Sequence, residues 1–240
     1  EETVTPEKQQ VDKPVVRRGI SPGEIVKNTP LLLILLVAYV VQSALGILQS
    51  TFALFADAVL CEGYSPREAT LGVGLLLAVF GLTQFSTQTF LLRRFLRRFG
   101  EYQLVILGNV SRMIGSFVYA MAATPLLGAT GSVFFAMGLG LMMPSLQSLA
   151  TGTVDDDVRG GVLGLYQSTL SLSTIISTAL GGLLFAVAVT LPYWVAGLMA
   201  AIALIPSIVL FLRYGRKEQQ AEKTSAGSAS TPSPPEKPRK

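Results

Sequence analysis

The feature that most constrains this chain is a series of apolar runs, each long enough to cross a lipid bilayer. Six of them occupy residues 31–55, 70–92, 102–123, 130–151, 161–189 and 193–212. Roughly 20 consecutive apolar residues span a hydrocarbon core about 30 Å thick. Half of the residues are apolar and only 14% are charged, whereas a soluble domain carries about 25% charged residues. The apolar positions are gathered into runs rather than spaced along amphipathic faces. The predicted class is an all-α, multi-pass membrane protein with six helices in the lipid bilayer.

The loops orient it. Lys and Arg collect on the cytoplasmic side of a membrane. Arg17, Arg18 and Lys27 precede the first run, and Arg93, Arg94, Arg97 and Arg98 follow the second. Arg159 follows the fourth, and Arg213, Arg216 and Lys217 follow the sixth. The opposite side carries Arg67 among Asp57, Glu62 and Glu68. Both termini are therefore expected in the cytoplasm, a parity that six spans satisfy. Tyr193 and Trp194 fall where the outer interface lies, as an aromatic belt requires.

The flanks differ in kind. Residues 1–29 are expected to form a cytoplasmic linker, with Ser21 capping a short helix and Glu24 completing its box. Residues 30–213 form the transmembrane domain, and residues 214–240 a disordered cytoplasmic tail rich in Ser, Pro, Lys and Glu. The start without Met or an early apolar run resembles the middle of a longer polypeptide.

Polar side chains are tolerated in a membrane only where protein or water receives them. Gln42, Gly46, Gln49 and Ala53 recur at helical spacing in the first run. Gly74, Gly81, Gln84 and Gln88 share a face of the second. The fourth carries Gly140, Pro144, Gln147 and Thr151, and the fifth Gln167, Ser171, Thr174 and Thr178. Small and hydroxyl-bearing residues also serve as helix-packing surfaces, and that reading stays open for them. Glutamine is different, because its amide needs several hydrogen-bond partners. Gln42, Gln49, Gln84, Gln88, Gln147 and Gln167, with Ser171 and Thr174, are expected to line a polar substrate cavity.

Arg112 stands ten residues into the third run, about 15 Å deep at 1.5 Å per residue. Asn109 and Ser116 share its face. An ionisable residue at that depth is either functional or an inward-turned pin tied to backbone carbonyls, and both readings stand here.

Other classes are excluded by what is missing. The sequence has no histidine and one cysteine, Cys61, so it has no metal-ligand spacing and no general base of the usual kind. It carries no HExxH, GxSxG or phosphate-cradling loop. No enzyme activity, cofactor or metal is expected. The basic residues sit at span ends, not on a face interleaved with aromatics, which excludes a nucleic-acid partner. No Asp or Glu lies in the middle of a run, so these helices alone hold no buried carboxylate relay.

Three stretches resemble one family. Arg93 to Tyr102 is similar to the cytoplasmic loop motif G-x-x-x-D-R-x-G-R-R of the major facilitator superfamily. Arg98 and Gly100 match, while Arg93 replaces the first Gly, Arg97 the Asp, and Glu101 and Tyr102 the last basic pair. Residues 153–164 look like the loop into its eleventh helix. Residues 170–182 resemble the G-P-x-x-G-G helix of drug-efflux members, with Ser177 and Thr178 in place of Gly-Pro. The resemblance covers residues 21–212 and implies helices seven to twelve of a twelve-helix transporter. In that family helices seven, eight, ten and eleven line the cavity, and the glutamine-bearing stripes here fall on those four.

The resemblance implies a secondary transporter half in the cell (plasma or inner) membrane. It would move a small organic solute by alternating access, as proton-coupled efflux, against an N-terminal six-helix half. A cytoplasmic gate would pair Arg93, Arg94, Arg97, Arg98 and Gly100 with Asp155, Asp156, Asp157 and Arg159. The alternatives are a non-transporting scaffold or receptor-like half, and a six-helix subunit that pairs with a second copy.

Overall fold

The computed structural model describes residues 22–215. The expected linker up to Ser21, including Arg17 and Arg18, lies outside the described residues, as do Arg216, Lys217 and the rest of the tail. Among the described residues there is no strand; the helices are α1 (Pro22–Lys27), α2 (Thr29–Phe55), α3 (Pro66–Ser86), α4 (Leu92–Phe99), α5 (Glu101–Ala120), α6 (Pro125–Gly152), α7 (Arg159–Val187) and α8 (Leu191–Leu210). The six long ones, α2, α3, α5, α6, α7 and α8, match the six apolar runs. Turns of π-helix at Ala56–Leu60, Thr87–Leu91 and Phe211–Gly215 extend α2, α3 and α8.

Several helices outrun the apolar core that predicts them. Ser65 starts α3 before residue 70: its hydroxyl accepts from the Glu68 N–H at 3.5 Å, and the Glu68 carboxylate accepts from the Ser65 N–H at 3.0 Å. Pro66 follows in the first turn, where no N–H is needed. Thr124 caps α6 in the same way, ahead of Pro125 and five residues before the predicted start. Asn28 caps α2 by accepting from the Leu31 N–H at 3.1 Å. Polar caps satisfy backbone groups in the headgroup layer, so a helix need not stop where its apolar side chains do.

The arginine segment is a helix and not a loop. Pro66–Phe99 is 34 residues long, about 50 Å at 1.5 Å per residue. It is therefore longer than a hydrocarbon core about 30 Å thick, and its four arginines are all exposed near its end. Gly100 ends it at φ +76, a backbone conformation that glycine adopts without steric cost.

Five of the long helices are apolar and long enough to cross a membrane. Helix α5 is less apolar, because Asn109 and Arg112 occupy its middle. It is held between α6 and α8, and the packing order runs α3–α6–α5–α8–α2–α7, with α2 also touching α6. Helices α3 and α7 close the ends of this row and are mostly exposed, whereas α2 and α6 are mostly buried. Contacts separate two ends of the bundle. Asn28 Nδ2 donates to the Thr153 carbonyl at 3.1 Å and Ser148 Oγ to Glu101 at 2.6 Å at the cytoplasmic end. At the other end Phe55 packs on Tyr193, ring centroids 4.2 Å apart.

That stack corrects one expectation. Trp194 is surface-exposed, but Tyr193 is fully buried, turned inward against Phe55 and Tyr119. Adjacent helical residues point about 100° apart, so one faces lipid and the other the core.

Lipid-facing helices gain little from apolar contact with one another, so close approach matters more. A Cβ on Gly138 would lie 2.6 Å from Arg112 Cγ and strike the Gly108 carbonyl, and one on Gly108 would lie 2.6 Å from the Gly138 carbonyl. Gly138→Ala is therefore expected to destabilise by about 1–3 kcal/mol through overpacking. Gly164→Ala, whose Cβ meets open space, should be neutral or slightly stabilising. Thermal unfolding in detergent measures both, and equal midpoints would contradict this packing.

Candidate functional site

Two recesses adjoin α2, one shared with α3, α5 and α6 and the other with α7. The first is an apolar cavity of about 250 Å³ lined by Leu45, Leu48, Gln49, Phe52 and Ala53 of α2, Leu77 and Phe80 of α3, Tyr119 of α5 and Phe135 of α6. Its aromatic wall is preorganised. Phe52 meets Tyr119 edge-on at 5.7 Å between centroids, and Phe80 lies 6.2 Å from Phe135. Tyr119 is held by a 2.6 Å hydrogen bond with Ser132. Such aromatic pairs add about 0.5–1.5 kcal/mol beyond the area they bury.

The second recess carries more polar side chains, although most of its lining surface is apolar. Gln42, Gln167, Ser171, Thr174 and Thr178 line it, together with Leu170 and Ile175. Gln42 Nε2 donates to Thr174 Oγ1 at 2.9 Å. Thr174 Oγ1 donates to the Leu170 carbonyl at 2.9 Å, and Ser171 Oγ to the Gln167 carbonyl at 3.0 Å. The hydroxyls are thus turned onto their own helix, and the Gln167 amide is exposed. Gln42 and Gln49 stand two turns apart on one face of α2, about 10 Å along the axis. No charged side chain lines either recess among the described residues.

The seam beneath the second recess consists of small residues. Ser43 and Ser173 share a 2.7 Å hydrogen bond, and Ser173 Oγ donates to the Tyr39 carbonyl. Gly46 faces Ser177, and Gly181 faces Ser50, each too closely to admit a Cβ. The two readings of the hydroxyl-bearing residues therefore divide by position. Ser43, Ser173 and Ser177 pack α2 on α7, while Ser171, Thr174 and Thr178 face the recess.

Of the predicted cavity residues, Gln42, Gln167, Ser171 and Thr174 come together, and Gln49 lines the neighbouring aromatic cavity. Gln84 is half-buried, and Gln88 and Gln147 are exposed; these three line neither recess. The sequence reading missed Phe52, Leu77, Phe80, Tyr119 and Phe135. Four helices contribute them, so no local spacing marks them as a group.

Arg112 is buried to 1% exposure. Its Nη2 donates to the Val41 carbonyl at 2.8 Å, and its guanidinium carbon sits 4.7 Å from the Phe135 ring centroid. Nε and Nη1 make no hydrogen bond among the described residues. Asn109 Nδ2 donates to the Ala200 carbonyl of α8 at 3.0 Å. Together Asn109 and Arg112 tie α5 to α8, α2 and α6.

At the cytoplasmic end Arg159 Nη1 pairs with Asp156 Oδ1 at 2.9 Å within the loop before α7. Asp155 and Asp157 are exposed beside it. Arg93, Arg94 and Arg97 extend from the exposed face of the projecting helix, and Arg98 lies 5.6 Å from the Phe99 ring centroid.

Long apolar helices around two recesses without charged lining define a multi-pass membrane protein. The family model described as Major Facilitator Superfamily matches residues 31–238, and the chain belongs to that superfamily. Tetracycline resistance protein, class C, of Escherichia coli is 34% identical over 103 residues, 43% of this chain and 26% of that protein. Multidrug resistance protein 2 of Bacillus subtilis (strain 168) is 22% identical over 169 residues, 70% of this chain and 40% of that protein. Quinolone resistance protein NorA of Staphylococcus aureus is 23% identical over 138 residues, 58% of this chain and 35% of that protein. The chain spans less than half the length of each of these relatives.

Solvent access to the recesses is measurable. Cysteines replacing Gln42, Gln49 and Gln167 should react with a water-soluble thiol reagent, and one replacing Asn109 should not. The native Cys61 is buried, and burial together with the nearby Asp57 carboxylate raises its thiol pKa, so its background is low. Mass shifts report the labelling; protection of all three recess positions favours a non-transporting scaffold.

Proposed function

We propose that this chain is one six-helix half of a secondary transporter that exports a small organic solute. It works in the cell membrane against a second six-helix unit, an N-terminal half or another copy of the chain. Rocking of the two units about the exposed faces of α3 and α7 gives alternating access to a site between them.

The observation that carries this reading is the pairing of an aromatic cavity with an amide-bearing, uncharged recess two turns away along α2. A solute with a rigid apolar end and a neutral hydrogen-bonding end fits that arrangement. The apolar end fills the space between Phe52, Phe80 and Phe135, while its polar end exchanges with the Gln42–Thr174 hydrogen bond. Small-molecule pockets combine an apolar lining with a few placed polar groups in this way. The names of the relatives, resistance to tetracycline, to multiple drugs and to quinolones, support such solutes and export.

Proton coupling needs a group that titrates inside the membrane. These spans carry no mid-membrane carboxylate or histidine, so the second unit supplies it. Gating follows the charges at the cytoplasmic end. Arg93, Arg94, Arg97 and Arg98 ride on a rigid helical arm with Gly100 as its pivot. In the closed state they meet acidic groups, with Asp155, Asp156 and Asp157 the candidates on this chain and Arg159 holding their loop in place.

Export from reconstituted vesicles containing both units tests the reading. Gln49→Ala and Phe52→Ala should raise the apparent KM for an amphiphilic solute about 3- to 30-fold, the loss of one polar or aromatic contact worth about 1–2 kcal/mol. Unchanged KM in both variants, with transport intact, would remove the cavity from the proposal.

A further inference from the structure

We infer that Arg112 sets the charge preference of the aromatic cavity, making it select neutral and anionic aromatic groups over cationic ones. The inference rests on that cavity being the ligand site proposed above.

Arg112 does not line the cavity; Phe135 does, and the guanidinium sits against the ring 4.7 Å from its centroid. One turn further along α2, Leu45 lines the same cavity, while the Val41 carbonyl holds Arg112 Nη2 at 2.8 Å. The positive charge is thereby fixed directly behind the cavity wall by contacts to two helices. It cannot leave by deprotonation, since guanidinium stays charged in proteins.

No carboxylate within these spans offsets its field. None of the six apolar runs carries an Asp or Glu at mid-depth. The guanidinium meets the Val41 carbonyl and the Phe135 ring, while Gly138 packs against the stem of the same side chain. The cation also occupies the negative quadrupole of the Phe135 ring. A ligand packed on that ring meets a ring already engaged with a cation and a net positive potential. With the ring's thickness added, the ligand lies about 8 Å from the charge, and Coulomb attraction or repulsion there shifts affinity by about tenfold or more in a partly polar interior. The sequence reading left Arg112 between function and structural pin. The geometry joins the two: the pin positions a charge that tunes the pocket without touching the solute.

Tetraphenylborate and tetraphenylphosphonium have one shape and opposite charges. Their binding to the 240-residue chain in detergent is measured by equilibrium dialysis, counting only uptake lost in Leu77→Trp, which fills the cavity. The wild type and Arg112→Lys are expected to bind the borate at least tenfold more tightly than the phosphonium. Arg112→Gln should bring the two within about threefold. A phosphonium preference in the wild type overturns the inference, whether or not Arg112→Gln folds. So does an unchanged ratio in a folded Arg112→Gln, while the ligand site itself then stands. If neither ion shows Leu77→Trp-sensitive binding, both the inference and the cavity's role as ligand site fall.

Discussion

A hydrocarbon layer offers backbone N–H and C=O groups no partner except each other. Every described element here is helical for that reason, and the consequences extend to its ends and turns. Asn28, Ser65 and Thr124 cap helices that begin in the polar layer, and proline follows each of them within two residues. Turns of π-helix lengthen three helices without freeing a run of backbone groups. Because helix–helix apolar contact gains little over lipid contact, cohesion falls to close approach and to buried polar ties. Gly108 against Gly138, Gly46 against Ser177, and the reach of Arg112 to Val41 are those ties in this chain.

This economy also shapes the site. Hydroxyls on α2 and α7 bond to their own helices or to one another, as in the Ser43–Ser173 pair, so few polar groups point at the recess. What remains is one amide-bearing recess, one aromatic cavity and, among the described residues, no charged side chain lining either. Affinity for a solute must then come from apolar area and from one or two exchanged hydrogen bonds. Selectivity by charge comes from behind the wall, where a cation can be buried at the centre of the bundle and its cost spread over a carbonyl, a ring and tight packing.

The arginine segment shows how an orientation signal and a mechanical part can coincide. Helical continuity with α3 makes it an arm about two turns long rather than an irregular loop. Gly100 is where that arm ends, with the backbone in a conformation other residues reach only under strain. Arg97 stands where the family motif has an aspartate, so any acid that closes the gate must come from another segment.

Much of the fold was legible in order of residues alone. The apolar runs gave the six long helices, and glutamine spacing marked the faces of α2 and α7 that border the recesses. These are properties of one helix in one solvent, so chain order suffices. Tertiary structure decided the rest. It turned Tyr193 inward while Trp194 stayed out, left Gln84, Gln88 and Gln147 away from both recesses, and gathered Phe52, Phe80, Tyr119 and Phe135 from four helices into one wall. It also placed Arg112 behind that wall. Helical periodicity states which residues share a face, but only packing between helices determines what that face meets.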